Sequence, residues 1–83
     1  MKLKIRLLAM DPCAHLPVSG GDGFVWQMSH DASLERLLHD LQLPPEKMYL
    51  TLRNGYSVPT SERPQTRLQE NDVITIFPLI KGG

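Results

Sequence analysis

The residues of this chain best suited to chemistry are its last two, Gly82 and Gly83. Lacking a Cβ, they reach backbone angles closed to other residues and leave the final carboxylate sterically bare. Such a carboxylate on a thin arm suits deep insertion into another molecule. Chain ends are ordinarily frayed, so the meaning of this ending depends on the domain that carries it. Other reactive-looking residues give less. Cys13-Ala14-His15 pairs a thiol with an imidazole, but the chain has no second cysteine, and His30 and His39 lack the spacing of a metal-binding helix. The SGGDG run at 19–23 lacks the Lys-Ser/Thr that completes a phosphate loop, so both stretches read as plain loop. Trp26 reads as a packed aromatic.

Composition narrows the classes. With 83 residues the chain holds one domain with a modest core. Nine basic residues balance nine acidic ones, so no overall basic field draws nucleic acid or anionic lipid, and neither is expected as a partner. A single cysteine excludes an internal disulfide and a multi-cysteine zinc site, which fits a reducing cytoplasm. The opening MKLKIRLLAM interrupts its apolar residues with Lys4 and Arg6, as a strand does and a signal peptide does not. No stretch is apolar for long enough to span a bilayer.

The elements that must position the tail follow from periodicity. Leu3, Ile5 and Leu7 alternate with Lys2, Lys4 and Arg6, predicting a half-buried first strand. A long Gly- and Pro-bearing loop over 11–23 leads to a second strand at Phe24, Trp26 and Met28, so the two form a wide hairpin. Ser29 or Asp31 is expected to cap a helix, since either side chain can accept from free amides of the first turn. Leu34, Leu37, Leu38 and Leu41 form its apolar stripe, and His39 with Glu35 reads as a solvated pair. Pro44 and Pro45 end the helix near Leu43. Met48, Leu50 and Leu52 alternate with Tyr49, Thr51 and Arg53 in a third strand. Asn54-Gly55 then turns the chain into a short fourth strand, Tyr56 to Val58, closed by Pro59.

Thr60 to Arg67 reads as polar connector with room for one helical turn, and Leu68 as a core plug. Glu70-Asn71-Asp72 turns the chain into a last strand carrying Ile74 and Ile76, which Pro78 closes. The order strand, strand, helix, strand, short strand, strand predicts an α+β fold. It is the order of a β-grasp domain, a mixed sheet of four to five strands with one main helix packed on one face. First and last strands lie side by side in its middle, so the tail leaves from the best-anchored strand. The domain is expected over 1–79 and a flexible tail over 80–83.

Taken in order, these residues resemble the ThiS/MoaD-type sulfur-carrier proteins, which share the β-grasp fold with ubiquitin. The resemblance rests on Leu34-Leu37-Leu38, on Leu52-Arg53-Asn54-Gly55 with Val58-Pro59, on Leu68 to Asp72, and on Ile74-Thr75-Ile76-Phe77-Pro78 before Gly82-Gly83. The Phe-Pro step is closest to the molybdopterin synthase small-subunit branch. Leu79 and Lys81 depart from that branch, which commonly has Pro-Pro and a small residue there, and Asn71-Asp72 replaces a common Gly-Asp turn.

The resemblance implies a carrier and not a self-sufficient enzyme. A partner adenylating enzyme would use ATP and magnesium to activate the Gly83 carboxylate, and a sulfur donor would convert it to a thiocarboxylate for cofactor biosynthesis. A molybdopterin-type pathway comes first, with thiamine or another pathway open, and a synthase large subunit would grip Lys81, Gly82 and Gly83. No cofactor or metal is expected on the chain itself. Phe77, Pro78, Leu79 and Ile80 are the expected docking residues. Two other roles stay open: a ubiquitin-like modifier joined through Gly83 to protein lysines, which the Lys81 ending favours, and a β-grasp binding module with an incidental tail.

Overall fold

The computed structural model describes residues 1–8, 23–43 and 48–78. Expectations for the 11–22 part of the loop, for Cys13 and His15, and for Leu79, Ile80, Lys81, Gly82 and Gly83 lie outside these residues. The elements are β1 (Lys2–Leu7), β2 (Phe24–Gln27), α1 (Leu34–Leu41), β3 (Tyr49–Arg53), β4 (Tyr56–Val58), a 3-10 helix (Thr60–Gln65) and β5 (Val73–Pro78). They form one five-stranded sheet in the order β2-β1-β5-β3-β4. β5 runs parallel to β1, with Ile5 opposite Ile74 and Leu7 opposite Ile76. It runs antiparallel to β3, with Thr51 opposite Ile76 and Leu50 opposite Phe77. Among the described strands, the one that leads to the tail is therefore the middle of the sheet, as expected.

One face of the sheet carries α1. Leu3, Ile5, Phe24, Val58, Ile74 and Ile76 point towards it, and Leu34, Leu37 and Leu41 of the helix meet them with almost no exposure. Leu68 closes this core, as its isolated position between polar residues predicted. Fully burying a Leu or Ile side chain stabilises by about 1.5–3 kcal/mol, so the helix stripe and the two central strands supply most of the apolar driving force.

The helix starts later than the capping residues predicted. Neither Ser29 nor Asp31 is the cap. Ser33 is, in extended backbone (φ −87°, ψ 163°), and its Oγ accepts from the Arg36 amide at 3.1 Å. The reason is tertiary. Ser33 bridges Arg67, the Leu34 amide donates to the Thr66 carbonyl and the Leu68 amide to the Ala32 carbonyl. These bonds hold Ser33 extended, so that the helix begins only at Leu34. Gln42 ends it in the left-handed region at φ 52°. The helix's ion pair joins Arg36 to Asp40 at 3.2 Å, in place of the expected Glu35 and His39.

The third strand has the expected alternation, but its polar side faces α1. Thr51 is fully buried while Leu50 and Leu52 stay half-exposed on the opposite face. The buried hydroxyl is satisfied: it donates to the Val58 carbonyl at 3.2 Å and accepts from Arg63 Nε at 3.3 Å. Arg63 also donates to the Tyr49 carbonyl at 2.6 Å, pinning the 3-10 helix to β3. Burial draws the Arg63 guanidinium below its ordinary value, and the charge of Glu35 opposes that.

Asp72, at the entrance to β5, ties the sheet's turns together. It accepts from Arg53 Nε at 2.8 Å, Asn54 Nδ2 at 3.0 Å and the Gln69 amide at 2.8 Å. Asn54 Oδ1 in turn accepts from the Val73 amide at 2.9 Å. The β3–β4 turn (Asn54 φ 52°, Gly55 φ 88°) and the turn at Asn71 (φ 69°) are thus locked to each other. Burial alone would raise the Asp72 carboxyl. The hydrogen bonds from Asn54, Gln69 and Arg53 and the charge of Arg53 outweigh it and hold the group below the usual carboxylate range.

Two outcomes are expected. Asp72→Asn loses about 2 kcal/mol of stability near neutral pH, because charge-assisted bonds to a nearly buried carboxylate are broken. The folded carboxyl lies below its ordinary 3.8, so its stabilisation is complete above that value and vanishes as pH falls through the lower folded one. Denaturant titrations across acid pH should show wild type and variant converging there, and a constant gap would contradict the assignment. At Gly23 (φ 85°) a Cβ would overlap the Ile5 carbonyl oxygen. Gly23→Ala should cost about 2 kcal/mol and lower Tm by roughly 8–16 °C, and calorimetry showing an unchanged Tm would rule that backbone geometry out.

Candidate functional site

The site is built on the exit of β5 and on the sheet face that α1 leaves uncovered. In a strand, successive side chains alternate between faces, so Ile74 and Ile76 enter the core while Val73, Thr75 and Phe77 take the other side. Residues opposite each other in a ladder share a face. The register therefore puts Leu50 beside Phe77, Leu52 beside Thr75, Arg6 beside Thr75 and Lys4 beside Val73. Leu8, whose amide donates to the Ile76 carbonyl at 2.9 Å, extends β1 alongside Phe77. Thr75 is the centre of this surface and is itself buried by its neighbours.

Phe77 and Pro78 are both half-buried, Phe77 on the uncovered face and Pro78 opposite Tyr49 on the α1 side. Phe77 thus has the outward parity, opposite to Ile74 and Ile76, that its spacing predicts. Pro78 packs at the rim of the other face, and Leu79 and Ile80 fall outside the described residues. The surface is broader than periodicity indicated, because Leu50 and Leu52 belong to it. A readable signal existed for them. With Asn54-Gly55 as a two-residue turn, Arg53 must face Tyr56, Leu52 must face Ser57 and Thr51 must face Val58. Val58 is the apolar residue of β4 and takes the core, so Thr51 goes inward with it and the leucines go outward.

What this arrangement offers is a rigid apolar platform beside the origin of the tail. No group of three or more His, Cys, Asp or Glu among the described residues is placed to hold a metal. No described helix is long and apolar enough to cross a membrane. The depression beside the start of α1, lined by Met28, Ser29, His30, Asp31, Arg36 and Asp40, is open to solvent, and Arg36 and Asp40 pair with each other across it. Trp26 meets Phe24 edge-on at 6.1 Å, a packing contact, as its alternation predicted.

Two solved structures share the architecture. The solution structure of the HVO 2177 protein from Haloferax volcanii aligns with a TM-score of 0.69 at 22% identity, covering 100% of this chain and 87% of the other. The crystal structure of SAMP1 from Haloferax volcanii aligns at 0.62 and 17%, covering 100% of both. At these identities the likeness concerns fold, and it places the chain among ubiquitin-like β-grasp proteins. No curated protein matches the sequence. Residues 17–83, which include the helix stripe, the Asn-Gly hairpin, β5 and both terminal glycines, match the sequence profile of the ThiS family, and the chain belongs to that family.

Proposed function

We propose that this protein is a sulfur carrier whose Gly83 carboxylate is adenylated by a partner enzyme and then converted to a thiocarboxylate. The observation that carries the reading is that the family match runs through Gly83 while the tail issues from the central strand of the sheet. A carboxylate repels nucleophiles. Attack of its oxygen on the α-phosphorus of ATP, held with magnesium by the partner, expels pyrophosphate and leaves an acyl adenylate. Hydrosulfide supplied by the donor then attacks the acyl carbon and expels AMP, which leaves the thiocarboxylate. The carrier supplies the substrate group, and positioning and charge stabilisation belong to the partner. The thiocarboxylate passes its sulfur to cofactor biosynthesis in the cytoplasm, with a molybdopterin precursor, presented by a synthase large subunit, as first choice of acceptor.

Phe77, with Leu50 and Leu52 beside it, is the docking surface for the activating enzyme, and Pro78, Leu79 and Ile80 lead from it into the partner's channel. Lys81, Gly82 and Gly83 occupy that channel. The second reading, a ubiquitin-like modifier joined to protein lysines, is favoured by Lys81 next to Gly82-Gly83 and by the fold shared with SAMP1. Isopeptide-linked Gly-Gly remnants on cellular proteins would select it.

Intact-mass measurement after incubation with the activating enzyme, ATP and a sulfur source should show replacement of one oxygen by sulfur. Deleting Gly83 should abolish it. A reaction indifferent to that deletion refutes the proposal. Phe77→Asp should raise the KM for the carrier in ATP–pyrophosphate exchange by about tenfold or more, as loss of an interface anchor does, with circular dichroism confirming the fold. An unchanged KM would remove Phe77 from the interface.

A further inference from the structure

Beside the apolar platform runs a row of cations. Lys2, Lys4 and Arg6 lie on the same face of β1, all exposed, and β1 is parallel to β5. The row therefore follows the path of the tail-bearing strand, with Arg6 at the end nearer Phe77. Side chains two apart on a strand are about 7 Å from each other, and like charges so placed repel. Among the described residues, opposite charge on this face is lacking. The register assigns Val25, Gln27, Leu50, Leu52, Ser57, Val73, Thr75 and Phe77 to it, and no acidic residue among those described. The nearby carboxylate, Glu70, accepts the backbone amide of Lys2 at 2.8 Å. The ion pairs between described residues, Arg36 with Asp40 and Arg53 with Asp72, lie elsewhere.

Two ordinary explanations fail. Lysines often blunt a sheet edge against wrong pairing, but β1 is flanked by β2 and β5 and has no free edge. Nor do the cations serve the net charge, which is zero. A one-signed row beside an aliphatic platform fits a surface of matching layout. Nucleic acid fits poorly, because the half of the face occupied by Leu50 and Leu52 gives phosphates no partner.

We infer that the protein that activates the tail presents an apolar patch for Phe77, Leu50 and Leu52 bordered by a row of carboxylates that pairs with Lys2, Lys4 and Arg6. This rests on the carrier reading and names the chemistry of its partner. The cations accelerate encounter and set the direction in which the tail enters. The apolar contacts then hold the complex.

The experiment is ATP–pyrophosphate exchange by the adenylating enzyme of the same organism, with the full chain as substrate, over a series of sodium chloride concentrations. Wild type is compared with Lys2→Glu/Lys4→Glu/Arg6→Glu and with the Gln/Gln/Gln triple, all checked by thermal melting. The inference expects a KM raised roughly tenfold or more by charge reversal, an intermediate value for the neutral triple, and a wild-type KM that rises with salt while that of the neutral triple stays flat. Equal KM values and equal salt slopes in folded variants overturn it and leave the carrier reading standing. Absence of exchange with wild type overturns the carrier reading itself. Row-dependent binding to phosphatidylserine vesicles or a single-stranded RNA oligomer, with KM untouched, overturns the inference in favour of that ligand.

Discussion

Everything in this domain hangs on the double pairing of β5, parallel to β1 on one side and antiparallel to β3 on the other. A strand paired on both edges has its backbone donors and acceptors satisfied along its length, and Ile74 and Ile76 add full burial on the α1 side. The outer face of the same strand stays available, and that division of labour makes the site. One face fastens the strand to the core, and the other presents half-buried Phe77 beside a Thr75 that its neighbours cover. A group presented from such a strand starts from a fixed origin, because the strand itself has little conformational freedom left to lose.

The Asp72 cluster completes that anchoring from the opposite end of β5. A nearly buried carboxylate is costly unless its lone pairs are filled, and here three donors from two turns fill them. The arrangement couples the β3–β4 hairpin to the start of β5, and so holds Leu50 and Leu52 in register with Phe77 and Thr75. Arg63 does related work at the far side of β3, where its guanidinium satisfies a buried hydroxyl and a carbonyl together.

Much of this was readable from residue order. The leucine stripe of α1, the Asn54-Gly55 turn and the alternation around Ile74 and Ile76 are local signals, and local signals survive folding. The positive φ of Asn71 likewise followed from its residue type. The helix cap did not, because Ser29, Asp31 and Ser33 are equivalent as side chains, and only the bonds to Thr66, Arg67 and Leu68 choose among them. Nor did the inward face of β3, since a buried threonine becomes tolerable only when a distant arginine and a carbonyl complete its hydrogen bonds. Of the site, Phe77 was legible from its parity against Ile74 and Ile76. Leu50 and Leu52 needed the hairpin register, and the charge row of β1 acquires meaning only once β1 is known to be an inner strand.

The sheet order has a consequence for the timing of assembly. The β1–β2 hairpin and the β3–β4 hairpin are not neighbours in the sheet, and β5 is the strand between them. As the chain is made, both hairpins emerge before the segment that joins them, and the joining is a non-local closure of the slow kind. Completion of the sheet therefore waits for β5, the last of its strands to be made. An unfinished or unfolded copy lacks the face on which Leu50, Leu52 and Phe77 meet, so under the proposed carrier role an activating enzyme that docks there would also check that its substrate has folded.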